Sequence, residues 1–227
     1  AKGAGMIHPN MATMLGFVLT DANIGADLLD SSLRRAVKNS FNSITVDGDT
    51  STNDMVLLLA NGAAGGPEIK AGSAAAEQFC LQLERVMLDL AKMIVRDGEG
   101  ATKLVEIRVT GATSEEQART AAKSVATSSL VKTAFFGEDA NWGRIIAAVG
   151  YSGIDVDQNR IDISFNQVSV AKDGLSTGPD LEAEATEILK LDEFTVHVDL
   201  CQGAGSASYY TSDLGYEYIK INADYRT

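Results

Sequence analysis

Two uninterrupted apolar runs constrain this chain more than anything else in it: Met-Leu-Gly-Phe-Val-Leu at 14–19 and Met-Val-Leu-Leu-Leu-Ala at 55–60. Neither alternates polar with apolar residues, so each reads as a short strand buried on both faces. Such strands need a layer of structure above and another below. Other stretches alternate with period two, the mark of strands with one face in a core. In 104–110, Val105, Ile107 and Val109 face one way while Glu106, Arg108 and Thr110 face the other. In 194–200, Phe194, Val196, Val198 and Leu200 point inward, which leaves His197 on the outer face with Thr195 and Asp199. Ile161, Ile163 and Phe165 mark a strand at 160–165, and Val168 and Val170 continue into another. Residues 207–211 and 216–222 read as two more, the last alternating Tyr216, Tyr218, Lys220 and Asn222 against Glu217, Ile219 and Ile221.

Between these lie helical patterns. Leu29, Leu33, Ala36, Val37 and Ser40 recur on one side of 26–41, with Arg34, Arg35 and Lys38 on a solvated face. Phe79, Leu83, Val86, Leu90 and Ile94 define a helix over 74–96, capped by Ser73, with Cys80 beside the stripe. Thr113-x-x-Glu116 reads as a capping box opening an alanine-rich helix, whose small residues at 118, 121, 122 and 126 permit close packing on a sheet. Asp139 or Asn141 caps a short helix with Ile145, Ile146 and Val149, and 180–190 is an acidic surface helix. Fully buried and half-buried strands interleaved with helices imply an α+β fold of stacked sheets covered by helices. The break at Gly98-Glu99-Gly100 places a boundary between a domain at 1–100 and another at 101–227.

Composition excludes several classes. A formal net charge of −12 disfavours nucleic acid and anionic membranes as partners. No apolar run approaches the ~20 residues a membrane helix needs, and no signal-peptide pattern is present. Ala1-Lys2-Gly3 reads as the middle of a longer protein rather than a beginning. Cys80 and Cys201 lack CxxC spacing, as in a reduced intracellular protein. The glycines form no phosphate-binding fingerprint, and no cofactor is expected.

The chemistry concentrates near the start. Gly3, Gly5, Pro9 and Asn10 make 2–12 a loop, so Thr13 stands where loop becomes strand. A hydroxyl there is held on a rigid element beside an opening for substrate, which suits a nucleophile. Threonine needs a base, however. Cutting the Ala12–Thr13 bond would supply one, because the freed α-amine titrates near ~7.7–8.0. Position alone favours a structural threonine, since β-branched residues prefer strands. Asp47, Asp49 and Asp54 crowd the segment 46–54 but lack EF-hand spacing, so they read as turn-forming side chains bonded to nearby backbone, with the loop lining the site entrance. His8 and His197 support no metal site, and Trp142 reads as a packing anchor. Arg144 is shaped for a carboxylate but receives no assignment.

Five stretches resemble one family in the same order: KGAGMIHPNMATML (2–15), VDGDTSTND (46–54), VRDGEGATK (95–103), GEDANWGR (137–144) and YIKINADYRT (218–227). The chain thereby resembles the ornithine acetyltransferases, or glutamate N-acetyltransferases, of arginine biosynthesis from end to end. The resemblance implies self-cleavage between Ala12 and Thr13, with Thr13 as catalytic nucleophile. It maps Lys2, Thr13, Glu99, Asn222 and Thr227 onto substrate-binding positions. It implies an N-terminal (α) half that precedes this chain, completes an α/β/β/α sandwich with it and supplies the oxyanion hole. It further implies a smaller C-terminal α+β domain, a heterotetramer of two α and two β halves, and a cytoplasmic or mitochondrial-matrix location. The implied reaction moves acetyl from N2-acetylornithine to glutamate, with acetyl-CoA as a further donor in some members. The rival expectations are a self-cut amide hydrolase or aminopeptidase of related architecture, and a non-catalytic subunit in which Thr13 is structural.

Overall fold

The computed structural model describes residues 1–8, 14–50 and 53–224. It divides into two compact units, Ala1–Asp97 and Gly98–Thr227. Both are mixtures of sheet and helix, so the chain is α+β. No described helix is long and apolar enough to cross a membrane.

In the first unit, strand β1 (Leu15–Thr20) is followed by helix α1 (Ala26–Lys38), a two-residue strand β2 (Ile44–Thr45), strand β3 (Met55–Ala60) and helix α2 (Ala74–Arg96). β1 and β3 pair in parallel, with Leu15 opposite Met55 and Thr20 opposite Ala60. Parallel pairing requires a crossover, and α1 with the segment behind it provides one. Gly16, Val56 and Leu58 face a core shared with Phe41, Ile44 and the inner face of α2. The helices pack on each other, and Arg35 of α1 forms an ion pair with Glu84 of α2 at 2.5 Å.

The two apolar strands differ from expectation. Phe17, Leu19 and Leu59 are 52%, 74% and 53% exposed, and Leu15 and Leu57 are exposed beside them. One face of the pair is therefore covered within this chain and the other is not. The stripe of α2 is also rotated from the one expected. Ala76, Cys80, Leu83, Met87, Ala91 and Ile94 are buried while Val86 is exposed. Close packing against α1 selects small residues, and a search for large apolar ones overlooks them. Cys80 thus lies in the stripe, its sulfur 3.2 Å from the Ser32 hydroxyl. Ser73 caps the helix as expected, accepting from the Ala76 amide.

The second unit runs β4 (Leu104–Ala112), α3 (Glu115–Thr127), α4 (Ser129–Phe136), α5 (Trp142–Gly150), β5 (Asp162–Phe165), β6 (Val168–Lys172), β7 (Leu175–Ser176), α6 (Pro179–Leu189), β8 (Glu193–Asp199), β9 (Gly205–Ser212) and α7 (Tyr216–Asp224). Its strands lie in the order β9-β4-β8-β5-β6-β7. Only β4 and β8 are parallel, pairing Leu104 with Glu193 through Thr110 with Asp199. Asp173 and Gly174, at φ 49° and 72°, turn β6 into β7 with the two positive φ values that a tight hairpin needs. Val105, Ile107 and Val109 interleave with Phe194, Val196 and Val198 under α3, α5 and α6, whose Ala118, Ala121 and Ala122 are fully buried. The alternation read from sequence holds here. His197 is half-buried rather than exposed, because its Nε2 pairs with the Thr110 hydroxyl at 2.8 Å.

Other details shift. The cap of α3 is Ser114, which accepts from the Gln117 amide, one residue beyond the box expected at Thr113. Asn141, not Asp139, caps α5. α4 is a helix that no pattern announced. The stretch expected as a strand at 216–222 is helix α7. Alternation there coincides with a helical spacing, and Glu217 and Lys220 pair at 3.5 Å across one turn.

Candidate functional site

Ala12 and Thr13, the expected cleavage site and nucleophile, lie outside the described residues, as does Thr227. The structure does show what holds the chain on either side of 9–13. Upstream, Asp47 receives the amides of Met6 at 2.7 Å and Ile7 at 3.0 Å. The Val46 amide donates to the Ile7 carbonyl at 2.7 Å, as does the Thr45 hydroxyl at 3.1 Å. The Thr50 hydroxyl donates to the carbonyl of His8. Downstream, the amide of Met14 donates to Asp54 Oδ1, and the amide of Met55 donates to the Met14 carbonyl at 2.8 Å. Val46, Asp47, Thr50 and Asp54 thus hold residues 6–8 on one side and Met14 on the other. Asp47 also accepts from its near neighbour Asp49, as a turn-forming residue should, but its longer-range bonds went unforeseen.

Asp54 stands just ahead of β3 and Met14 just ahead of β1, and the parallel register sets the heads of the two strands side by side. Its second oxygen, Oδ2, is buried and has no hydrogen-bond partner among the described residues. Burial pushes the Asp54 carboxyl above the usual carboxylate range, and the Met14 amide works against that shift. Asp54→Ala would leave the amide of Met14, itself 1% exposed, without its acceptor. The expected cost in a denaturant titration is ~1–3 kcal/mol, whereas Asp54→Asn keeps an acceptor oxygen and removes the partly buried charge, so it should be neutral or stabilising.

Lys2 lies near the same strand head. It forms an antiparallel bridge with Leu15, its amide donating at 2.9 Å and its carbonyl accepting at 3.0 Å. The structure thus brings Lys2 to the residue next to Met14. A cavity of about 400 Å3 opens beneath residues 1–4 against Leu90, Met93 and Ile94.

The remaining predicted residues meet in the second unit. Asn222 Nδ2 donates to Glu99 Oε2 at 3.0 Å and to the Tyr218 carbonyl at 3.0 Å. These two residues are 123 positions apart, and a helix end and a loop bring them together. Gly100, at φ 69°, lets the loop reach the helix: a Cβ there would sit 2.5 Å from the amide nitrogen of Tyr218. Among the described residues, no group of three or more His, Cys, Asp or Glu side chains could hold a metal ion. Arg144 serves the fold, donating to the Leu130 carbonyl at 2.8 Å, and Trp142 Nε1 donates to Glu182 at 3.1 Å.

Sequence reasoning missed Asp213. Its carboxylate is 3% exposed and accepts from the Thr102 amide at 2.8 Å, the Lys103 amide at 3.0 Å and the Thr102 hydroxyl at 2.6 Å. Nothing local signals this, because its partners are 110 residues upstream. Asp54 carried a faint signal, a carboxylate immediately preceding an apolar run, as Thr13 precedes another.

An α+β chain with a doubly gripped strand head and a loop carboxylate paired to a helix amide has close counterparts among known proteins. It belongs to the ArgJ family, whose sequence profile matches residues 1–227. It is 66% identical over 227 residues to the arginine biosynthesis bifunctional protein ArgJ of Syntrophotalea carbinolica and 60% identical over the same length to that of Geobacter sulfurreducens. The mitochondrial counterpart of Schizosaccharomyces pombe is 51% identical over 233 residues. All of this chain is covered in each case, but it spans only 58% of the length of the two bacterial relatives and 52% of the yeast one. The crystal structure of the Bacillus halodurans ArgJ protein superposes with a TM-score of 0.91 at 47% identity, covering 94% of this chain and all of that one.

Proposed function

We propose that this chain is the nucleophile-bearing part of an acetyltransferase that moves the acetyl group of N2-acetylornithine to glutamate in arginine biosynthesis. The observation that supports this most directly is that Asp47 binds the amides of Met6 and Ile7 while Asp54 binds that of Met14, so one short segment holds the chain before and after the expected cut.

In the cut, the Thr13 hydroxyl oxygen bonds to the Ala12 carbonyl carbon, the carbon–nitrogen bond breaks, and the hydroxyl proton passes to the Thr13 nitrogen. Water then hydrolyses the ester, restoring the hydroxyl and leaving a free α-amine. In turnover that amine takes the hydroxyl proton as the oxygen attacks the acetyl carbonyl. Ornithine departs with the proton on its α-nitrogen. The glutamate amine attacks the acetyl-threonine ester and regenerates the hydroxyl, a two-step exchange with ping-pong kinetics. Glu99 would hold a substrate ammonium, and Asn222, already bonded to it, would fix the carboxylate's orientation. Lys2 and Thr227 are proposed as further substrate contacts, and acetyl-CoA as a further donor.

Donors for the tetrahedral oxyanion are assigned to the N-terminal half of the precursor. The exposed apolar face formed by Phe17, Leu19 and Leu59 is a fitting surface for that half, and two such pairs would make the heterotetramer. The expected compartment is the cytoplasm, or the mitochondrial matrix in a eukaryote.

Mass spectrometry of the full-length precursor tests the proposal. The expected result is a C-terminal fragment beginning at Thr13 that gains one acetyl group on adding acetylornithine and loses it on adding glutamate. An uncut chain that never gains the group would overturn the reading, and loss to water as fast as to glutamate would indicate a hydrolase.

A further inference from the structure

We propose that Asp213 is a positioning residue for substrate binding, acting through the Glu99–Asn222 pair. This rests on the reading of Glu99 and Asn222 as substrate contacts.

α7, which carries Asn222, has no buried residue among those described. A helix normally keeps its place by burying an apolar stripe, and this one cannot. Tyr216 and Ile219 are 79% and 63% exposed. What fixes α7 must therefore lie just ahead of it or in a few direct contacts. Ahead of it stands Asp213, whose two oxygens receive the amides of Thr102 and Lys103 and the Thr102 hydroxyl. Hydrogen bonds to a carboxylate are about twice as strong as neutral ones, and burial strengthens them further.

The circuit is closed. Glu99 leads in three residues to Thr102, Thr102 is fastened to Asp213, Asp213 leads into α7, and Asn222 of α7 returns to Glu99. Gly100 adds a point where backbone meets backbone, against Tyr218. Both ends of the substrate-contacting pair thus refer to one carboxylate. Other anchors fix the approach to α7 without touching the Glu99 loop. The Leu214 amide donates to the Lys132 carbonyl at 3.2 Å, the Lys132 ammonium bonds Thr211 and Ser212, and Phe136 meets Tyr216 edge-on at 5.6 Å. Asp213 ties the root of the Glu99 loop to the residues just ahead of the helix.

The test uses the processed, assembled enzyme. Asp213→Ala is expected to raise KM for acetylornithine and glutamate by about 10-fold or more, with kcat changed by less than about threefold, because uniform binding is lost rather than the reacting geometry. Asp213→Asn should return KM to within about threefold of the parent, since its amide oxygen accepts both amides and its NH2 donates to the Thr102 hydroxyl. In a Glu99→Gln background, Asp213→Ala should add little, as residues acting through one contact are non-additive. Cleavage at Ala12–Thr13 should proceed in all variants. Hydrogen exchange of the 98–101 and 216–224 amides, which needs no activity, should quicken in Asp213→Ala and not in Asp213→Asn. Thr102→Val removes one of the three bonds and should shift both readouts the same way by less, even if the alanine variant folds poorly. Unchanged KM and exchange in Asp213→Ala, or effects that add in the double variant, would overturn the proposal. A parent enzyme that takes no acetyl from acetylornithine would instead overturn the functional reading, with hydrogen exchange still deciding the role of Asp213.

Discussion

Thr13→Val is expected to yield a precursor that stays in one piece and transfers acetyl at a rate lowered by about 10,000-fold or more, the scale of losing a covalent nucleophile. Valine keeps the branched shape and strand preference of threonine, so the fold should survive. What disappears is the oxygen that attacks the Ala12 carbonyl and, in the same step, the route to a free α-amine. One substitution therefore removes nucleophile and base together. Intact mass and the rate of acetyl transfer to glutamate measure both losses. Cleavage, or transfer at the parental rate, would show that Thr13 is structural, as its position alone suggests. Thr13→Ser should keep both activities at a reduced level, because serine restores the oxygen.

Phe135→Ala is expected to have the largest effect on stability. Phe135 is 1% exposed at the end of α4 and meets Phe194 of β8 edge-on, with ring centroids 5.5 Å apart. Phe194 in turn contacts Phe165 at 6.2 Å, so one ring deletion opens the centre of the second unit's core. The expected cost is ~3–5 kcal/mol, transfer and cavity together. For a unit of this size that lowers the melting temperature by roughly 10 °C or more. Calorimetry of the whole protein reads the shift, and a change below a few degrees would mean that the core collapses into the space.

Much of the fold was legible because period and burial agree. The alternation at 104–110 and 194–200 became β4 and β8 in the expected orientation, and the small residues of α3 lie against the sheet. Reading failed where two explanations share one pattern. At 216–222 an alternation was mistaken for a strand because a short helix with no buried face imposes no apolar stripe. α4 went unseen because eight residues are too few for periodicity to show, and one of its buried positions is Lys132, held by Thr211 and Ser212. The site divides the same way. Thr13 marks a junction of loop and strand and Glu99 a break between glycines, but it is the family resemblance, not either local pattern, that singles them out as site residues. Asp54 and Asp213 act across the fold, on residues 40 and 110 or more positions away, and no local pattern records such a bond.

The open face of the β1–β3 pair has a consequence for what happens after the proposed cut. Once the Ala12–Thr13 bond is gone, no peptide bond joins the two pieces of the precursor, and cohesion rests on the hydrogen bonds that hold Lys2, Met6 and Ile7 together with whatever covers Leu15, Phe17, Leu19, Leu57 and Leu59. Sequestering five such side chains is worth on the order of 10 kcal/mol before the entropy of association is set against it. A greasy seam, added to those few hydrogen bonds, would then keep the two halves from drifting apart, and a charge introduced at Leu19 would act as a wedge between them.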